Sequence, residues 1–132
     1  MSRKSASVRE LTAELETLRT AVAEIAAESW RYKLSLEKVL KRMDVMEAER
    51  FARQYSYFYS RVDRAVSSAG LNVLDLTGQQ YSVGLPVQAI NLEDFDEDEA
   101  LIITQTVEPV VMAKGRVMRT GIVMVDRVRG EN

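Results

Sequence analysis

The sequence predicts an α+β protein: a long N-terminal α-helix forming a parallel dimeric coiled coil, followed by a small all-β C-terminal domain. Three observations carry this. All six glycines and both prolines lie at or after Gly70, so nothing in the first 69 residues interrupts a helix. Apolar residues in that stretch recur at alternating spacings of three and four, the mark of a coiled-coil seam. Beyond Gly70, Val/Ile-rich pieces of a few residues alternate with Gly and Pro, which is strand-and-turn punctuation. The expected organisation is a disordered N-terminus over 1–6, a coiled-coil helix over 7–69 and a small β domain over 70–132.

The helix has start and stop signals. Ser7-Val8-Arg9-Glu10 fits a capping box, and Gly70 suits the position just past the end, where the backbone turns left-handed. Unbroken over 8–69, such a helix is roughly 93 Å long at about 1.5 Å per residue. A chain of this size has no core to bury it, so the rod calls for a partner. The seam reads Val8, Leu11, Leu15, Leu18, Val22, Ile25, Ser29, Tyr32, Leu36, Val39, Met43 and Met46, with Ser29 its one polar member. Val at a with Leu at d favours two strands. In a parallel pair, Glu14 meets Arg19, Glu28 meets Lys33 and Arg42 meets Glu47, all of opposite sign. Exposed pairs of this kind contribute only about 0.2–1 kcal/mol each, so they set orientation more than stability.

After Met46 the seam slips, since its next slots fall on Arg50 and Arg53. The apolar series resumes one residue later at Phe51, Tyr55, Phe58, Val62, Ala65 and Ala69, rotated by roughly 100°. The distal helix therefore faces something new, and Tyr55, Tyr57, Phe58 and Tyr59 are expected to pack there. Trp30 and Leu34 lie off the seam, one turn apart, as an exposed apolar pair suited to contact with another protein.

In the second half the expected strands are Asn72–Leu74, Gln80–Val83, Val87–Asn91, Ala100–Glu108, Val110–Met112, Arg116–Met118 and Ile122–Asp126. Ala113-Lys114-Gly115 reads as a hairpin turn, with Gly115 supplying a positive φ, and Thr120-Gly121 as a second break. Seven short pieces in about sixty residues suggest a small sandwich or barrel.

Composition narrows function. The chain has no Cys and no His, which removes disulfides and the commonest general base and metal ligand. Residues 1–70 hold 13 Lys/Arg against 10 Asp/Glu, and residues 71–132 hold 5 against 10. Neither half has the basic balance of a nucleic-acid binder. Glu93, Asp94, Asp96, Glu97, Asp98 and Glu99 form a dense acidic run, within which Asp94, Asp96 and Asp98 copy the first ligands of a calcium loop. However, Glu99 replaces the required Gly and Gln105 stands in the place of the bidentate Glu, so a solvated loop is expected. No P-loop, dinucleotide fingerprint or nucleophile-with-base pattern is present. The expectation is a cytoplasmic, non-enzymatic protein with no cofactor, metal, nucleic acid or membrane among its partners.

The stretch from Val107 through Gly115-Arg116-Val117-Met118-Arg119 to Val125 resembles the C-terminal β domain of the GrpE family, the nucleotide exchange factors of DnaK-class chaperones. Gly115, Arg116, Val117, Met118 and Arg119 match the family's Gly-Arg-Val-hydrophobic-Arg run; Thr120 and Gly121 replace its Pro-Ala. Ala69-Gly70-Leu71, Gly78 and Tyr81 are similar to its helix end, its Gly and the aromatic of its Phe-Asp-Pro segment. The resemblance implies a dimer on a parallel helical pair and a β domain that binds a DnaK-class chaperone. On this reading Arg116, Met118, Arg119 and Tyr81 contact the chaperone, with Trp30 and Leu34 as a further contact on the stalk. Family members carry extra helices between stalk and β domain, forming a four-helix bundle, which an unbroken helix here leaves no room for. The resemblance therefore implies a shortened member, either an exchange factor or a structural adaptor of a multiprotein complex that keeps the fold.

Overall fold

A computed structural model describes residues 3–129 of the 132-residue chain. Two helices, α1 (Arg3–Leu40) and α2 (Val45–Ser68), precede six strands. These are β1 (Leu71–Leu74), β2 (Val87–Ala89), β3 (Leu101–Glu108), β4 (Val110–Ala113), β5 (Arg116–Arg119) and β6 (Gly121–Arg127). The α+β class with a C-terminal all-β module is therefore present, but the unbroken helix over 7–69 is not. The chain leaves the helix at Lys41–Asp44, and α2 folds back along α1 as an antiparallel hairpin. Helix α1 spans roughly 57 Å at about 1.5 Å per residue, not 93 Å.

The break needs no Gly or Pro because α2 carries a second seam. Ala48, Ala52, Tyr55, Tyr59, Val62, Val66 and Ala69 follow one another at spacings of four and three, and each is buried or half-buried. The C-terminal members Val62, Val66 and Ala69 pack against Ala23 and Ala26 of α1, whose small side chains let the helices come close. Asp44 supplies the turn with an extended ψ of 141°, and its carbonyl accepts the Ala48 amide at 2.8 Å. Asp44 and Glu47 also place two carboxylates at the positive end of the α2 dipole. The slip after Met46 was thus the signature of a chain reversal. Of the resumed series, Tyr55, Val62 and Ala69 do face α1, whereas Phe51 and Phe58 stay exposed.

Both helix ends differ from the expected caps in one respect each. Helix α1 already runs through 3–6, placed in a disordered N-terminus from sequence, so Ser7 is an interior residue and no cap. Residues 1 and 2 lie outside the described residues. At the other end Gly70 has φ +80°, as the stop signal requires.

The β module consists of two three-stranded sheets, ordered β1-β4-β5 and β2-β6-β3. Of the expected strands, only Gln80–Val83 fails to form; it makes a single bridge, Gln80 to Ile102. That short contact, with Gly78 and Tyr81 amides bonded to β3 carbonyls, covers the outer edge of β3. The β4–β5 hairpin turns on Lys114 and Gly115, both at positive φ (52° and 76°), the requirement of a tight two-residue turn.

Successive residues of β4 point to opposite faces, and both faces are buried. Val111 and Ala113 meet Ala23, Ala26 and Val66 of the helices; Val110 meets Ile103, Val123 and Val125 of the other sheet. The molecule is therefore three layers, with the β1-β4-β5 sheet between the helical hairpin and the β2-β6-β3 sheet.

Candidate functional site

Helix α1 has two faces with different fates. The inner one is Arg19, Ala23, Ala26, Ala27, Trp30 and Leu34, which turn toward α2 and the β module. Trp30 donates its indole N–H to the Thr106 carbonyl at 2.8 Å. Thr106 is 3% exposed, and its hydroxyl lies 3.0 Å from that of Thr77 and accepts the Leu76 amide. The Thr77 amide in turn donates to Asp75. Burial works to raise the pKa of Asp75, but hydrogen bonds from Thr77 and Thr106 and the charge of Lys33 outweigh it and hold the carboxyl below its usual range. This chain of bonds docks the middle of α1 on β3. Trp30 and Leu34 are consequently half-buried, not the exposed contact pair the sequence suggests: Trp30 belongs to the internal docking, and Leu34 lines a cavity of about 530 Å³ with Ile90, Val107 and Met124.

The expected β-module contacts are also engaged within the chain. Arg116 pairs with Glu16 of α1, and Arg119 with Glu24 of α1 at 3.0 Å and Glu108 at 2.6 Å. Met118 packs against the helix-facing core, and Tyr81 against the core between the sheets. Arg116 remains largely exposed beside its partner, at 61% of its side chain. These residues clamp β5 onto the stalk. Nothing local in the sequence signalled it, because the partners lie 95 and 100 positions apart.

The outer face of α1 has no partner in the chain. Val8, Leu11, Leu15, Leu18, Ile25, Tyr32 and Val39 are all exposed, Leu18 at 63% and Ile25 at 60%, while Val22 and Leu36 are half-buried. At about 100° per residue Leu11, Leu18 and Ile25 lie roughly opposite Leu34 and Ala27, on the side away from the β module, whereas Tyr32 reaches the rim of the cavity that Leu34 lines. Phe51 and Phe58 of α2 are exposed as well. They sit on the flank opposite Asp63 and Ser67, which border the cavity facing β1. Both helices thus carry exposed apolar residues on flanks that the β module leaves uncovered. The seam from Val8 to Val39 was legible as a repeat; the exposure of Phe51 and Phe58 was not. Met43 lies in the turn and Met46 on α2, so neither continues the α1 seam.

The expected charge pairs of a parallel dimer fare differently. Arg42 and Glu47 flank the chain reversal, and Lys33 lies 5.5 Å from the Trp30 ring and 5.8 Å from the Tyr59 ring, on the hairpin's inner side. Arg19 turns to the inner face and lies 4.0 Å from Glu16, so the Glu14–Arg19 pair loses its place beside the seam as well.

Between the helices, the Tyr59 hydroxyl has no hydrogen-bond partner among the described residues. Burial, reinforced by Tyr32, Glu37 and Tyr55, pushes its pKa up to about 12. Tyr59→Phe keeps the ring and removes the orphan group, so urea unfolding at pH 7 should show stability unchanged or raised by about 1 kcal/mol. Because the folded pKa lies above the unfolded value, stability is whole below pH 10 and is lost as pH rises toward about 12. The Phe variant should lose less between pH 7 and pH 11 than the wild type.

No family model matches the chain, and neither a curated protein nor a solved structure matches it. Among the described residues, no helix is long and apolar enough to cross a membrane.

Proposed function

We propose that this protein is a GrpE-like adaptor: a homodimer, joined through the exposed apolar seam of α1, whose β modules engage a DnaK-class chaperone and speed its nucleotide release. The observation that carries the reading is the apolar face on the side of α1 away from the β module. Two copies joined there keep their β modules outward and accessible. The resemblance from Val107 to Val125 adds support, since those residues span the end of β3 and all of β4 and β5 before entering β6. The chain reversal adds more. Two hairpins bring four helices together, the number in the family's bundle, so the departure that an unbroken helix implied disappears. A parallel arrangement of the two stalks rests on the repeat of Val at a and Leu at d.

Exchange by such an adaptor follows from differential affinity: a protein that binds the nucleotide-open form more tightly shifts the chaperone toward it. A cytoplasmic location belongs to the same reading. The test mixes the full chain with a DnaK-type ATPase loaded with fluorescent ADP; release should accelerate with added protein and saturate. Unchanged release at saturation would favour the second reading, a structural adaptor of a multiprotein complex without exchange activity. The internal pairing of Arg116 and Arg119 favours that alternative, because it occupies the side chains expected to meet the chaperone.

A further inference from the structure

A groove of about 680 Å³ opens at the Leu101 end of β3, away from Thr106, where α1 docks, and no residue of α1 or α2 lines it. Tyr81, Phe95 and Leu101 form its apolar wall and are continuous with the core between the sheets. Val83 stands at its lip with 91% of its surface exposed. Such a side chain at the mouth of an apolar groove gains by being covered.

Charge decides what covers it. Glu93, Asp96 and Glu97 line the same groove and have no ion-pair partner among the described residues. Glu99 is taken by Arg127, whose guanidinium lies 5.4 Å from the Phe95 ring centroid. The chain's own arginine thus shows the contact that the border offers a cation: a carboxylate on one side and an aromatic face on the other. An acidic segment meets uncompensated repulsion there, and a neutral apolar one leaves the border unused.

We propose that this groove docks a segment of another protein in which apolar side chains alternate with arginine or lysine. The apolar chains cover Val83 and enter between Tyr81 and Phe95, while the cations meet Glu93, Asp96 and Glu97. The proposal does not rest on the exchange reading and holds for either partner class.

Fluorescence anisotropy with the full chain tests it, using a fluorescein-labelled twelve-residue probe alternating Arg and Leu. Two control probes alternate Arg with Ser and Glu with Leu. The Arg–Leu probe is expected to bind, the Arg–Ser probe at least about tenfold more weakly, and the Glu–Leu probe not at all. Val83→Ser and the double variant Glu93→Gln/Glu97→Gln should each weaken the Arg–Leu probe by about threefold or more, with the double variant also flattening its salt dependence. All altered side chains are exposed, so circular dichroism and urea midpoints should match the wild type. Failure of the Arg–Leu probe to bind would overturn the proposal. Equal binding of the Arg–Ser probe, or wild-type binding by both variants, would do the same by showing attraction that is diffuse or located elsewhere.

Discussion

Gly121→Ala is expected to destabilise the β module by about 1–3 kcal/mol, the range for forcing an extra carbon into a packed site. Gly121 starts β6, where the chain passes from one sheet to the other. A Cβ there would lie 2.9 Å from the Glu108 carbonyl oxygen, 3.1 Å from Val110 Cγ2 and 3.2 Å from the Val110 amide nitrogen. Glu108-Pro109-Val110, between β3 and β4, is another crossing between the sheets, and Pro109 is fully buried. Two backbones cross in contact, and neither can give way without opening both sheets. Gly84 is the matched control, since a Cβ there meets nothing within 4 Å and its φ is not positive. Urea unfolding should show a lower midpoint for Gly121→Ala at an unchanged m-value, and little change for Gly84→Ala. Equal stability of the two variants would mean that the crossing is looser than described.

The second large effect concerns assembly. Leu15→Asp with Leu18→Asp puts four carboxylates into the apolar contact of the proposed dimer, at a cost of several kcal/mol if they stay ionised and unpaired. In the single chain both leucines are exposed, at 45% and 63%, and α1 docks on its own β module through the opposite face. The double variant should therefore be a folded monomer, with circular dichroism close to that of the wild type. Sedimentation of the wild type at micromolar concentration should give twice the 14.9 kDa chain mass. A wild-type monomer would sink the dimer and leave the apolar face without a partner.

How the hairpin closes shows where reading from sequence ran out. The slip at Arg50 and Arg53 was visible, and so was the apolar series that resumed at Phe51. Both a rotated continuous helix and a reversal satisfy that pattern. The choice depends on whether Ala48, Ala52, Tyr59 and Val66 find a complementary surface, and that surface is on α1 of the same chain. Likewise the repeat from Val8 to Val39 was readable, but not that Trp30, beside it, would reach the Thr106 carbonyl 76 positions away.

By itself the sequence determined the local geometry: the end of the helical half at Gly70, five of the six strands to within one residue at each end and β2 to within two, and the tight turn at Lys114-Gly115. Those features depend on backbone preferences and on alternation of burial within a few residues, which neighbouring side chains suffice to set. Only the tertiary structure decided which face of α1 is covered, where the helix reverses, and that Arg116 and Arg119 brace β5 against Glu16 and Glu24. Each of these is a competition between distant surfaces for the same apolar or charged partner. Its outcome depends on the free energy of packing the whole chain, which no local window contains.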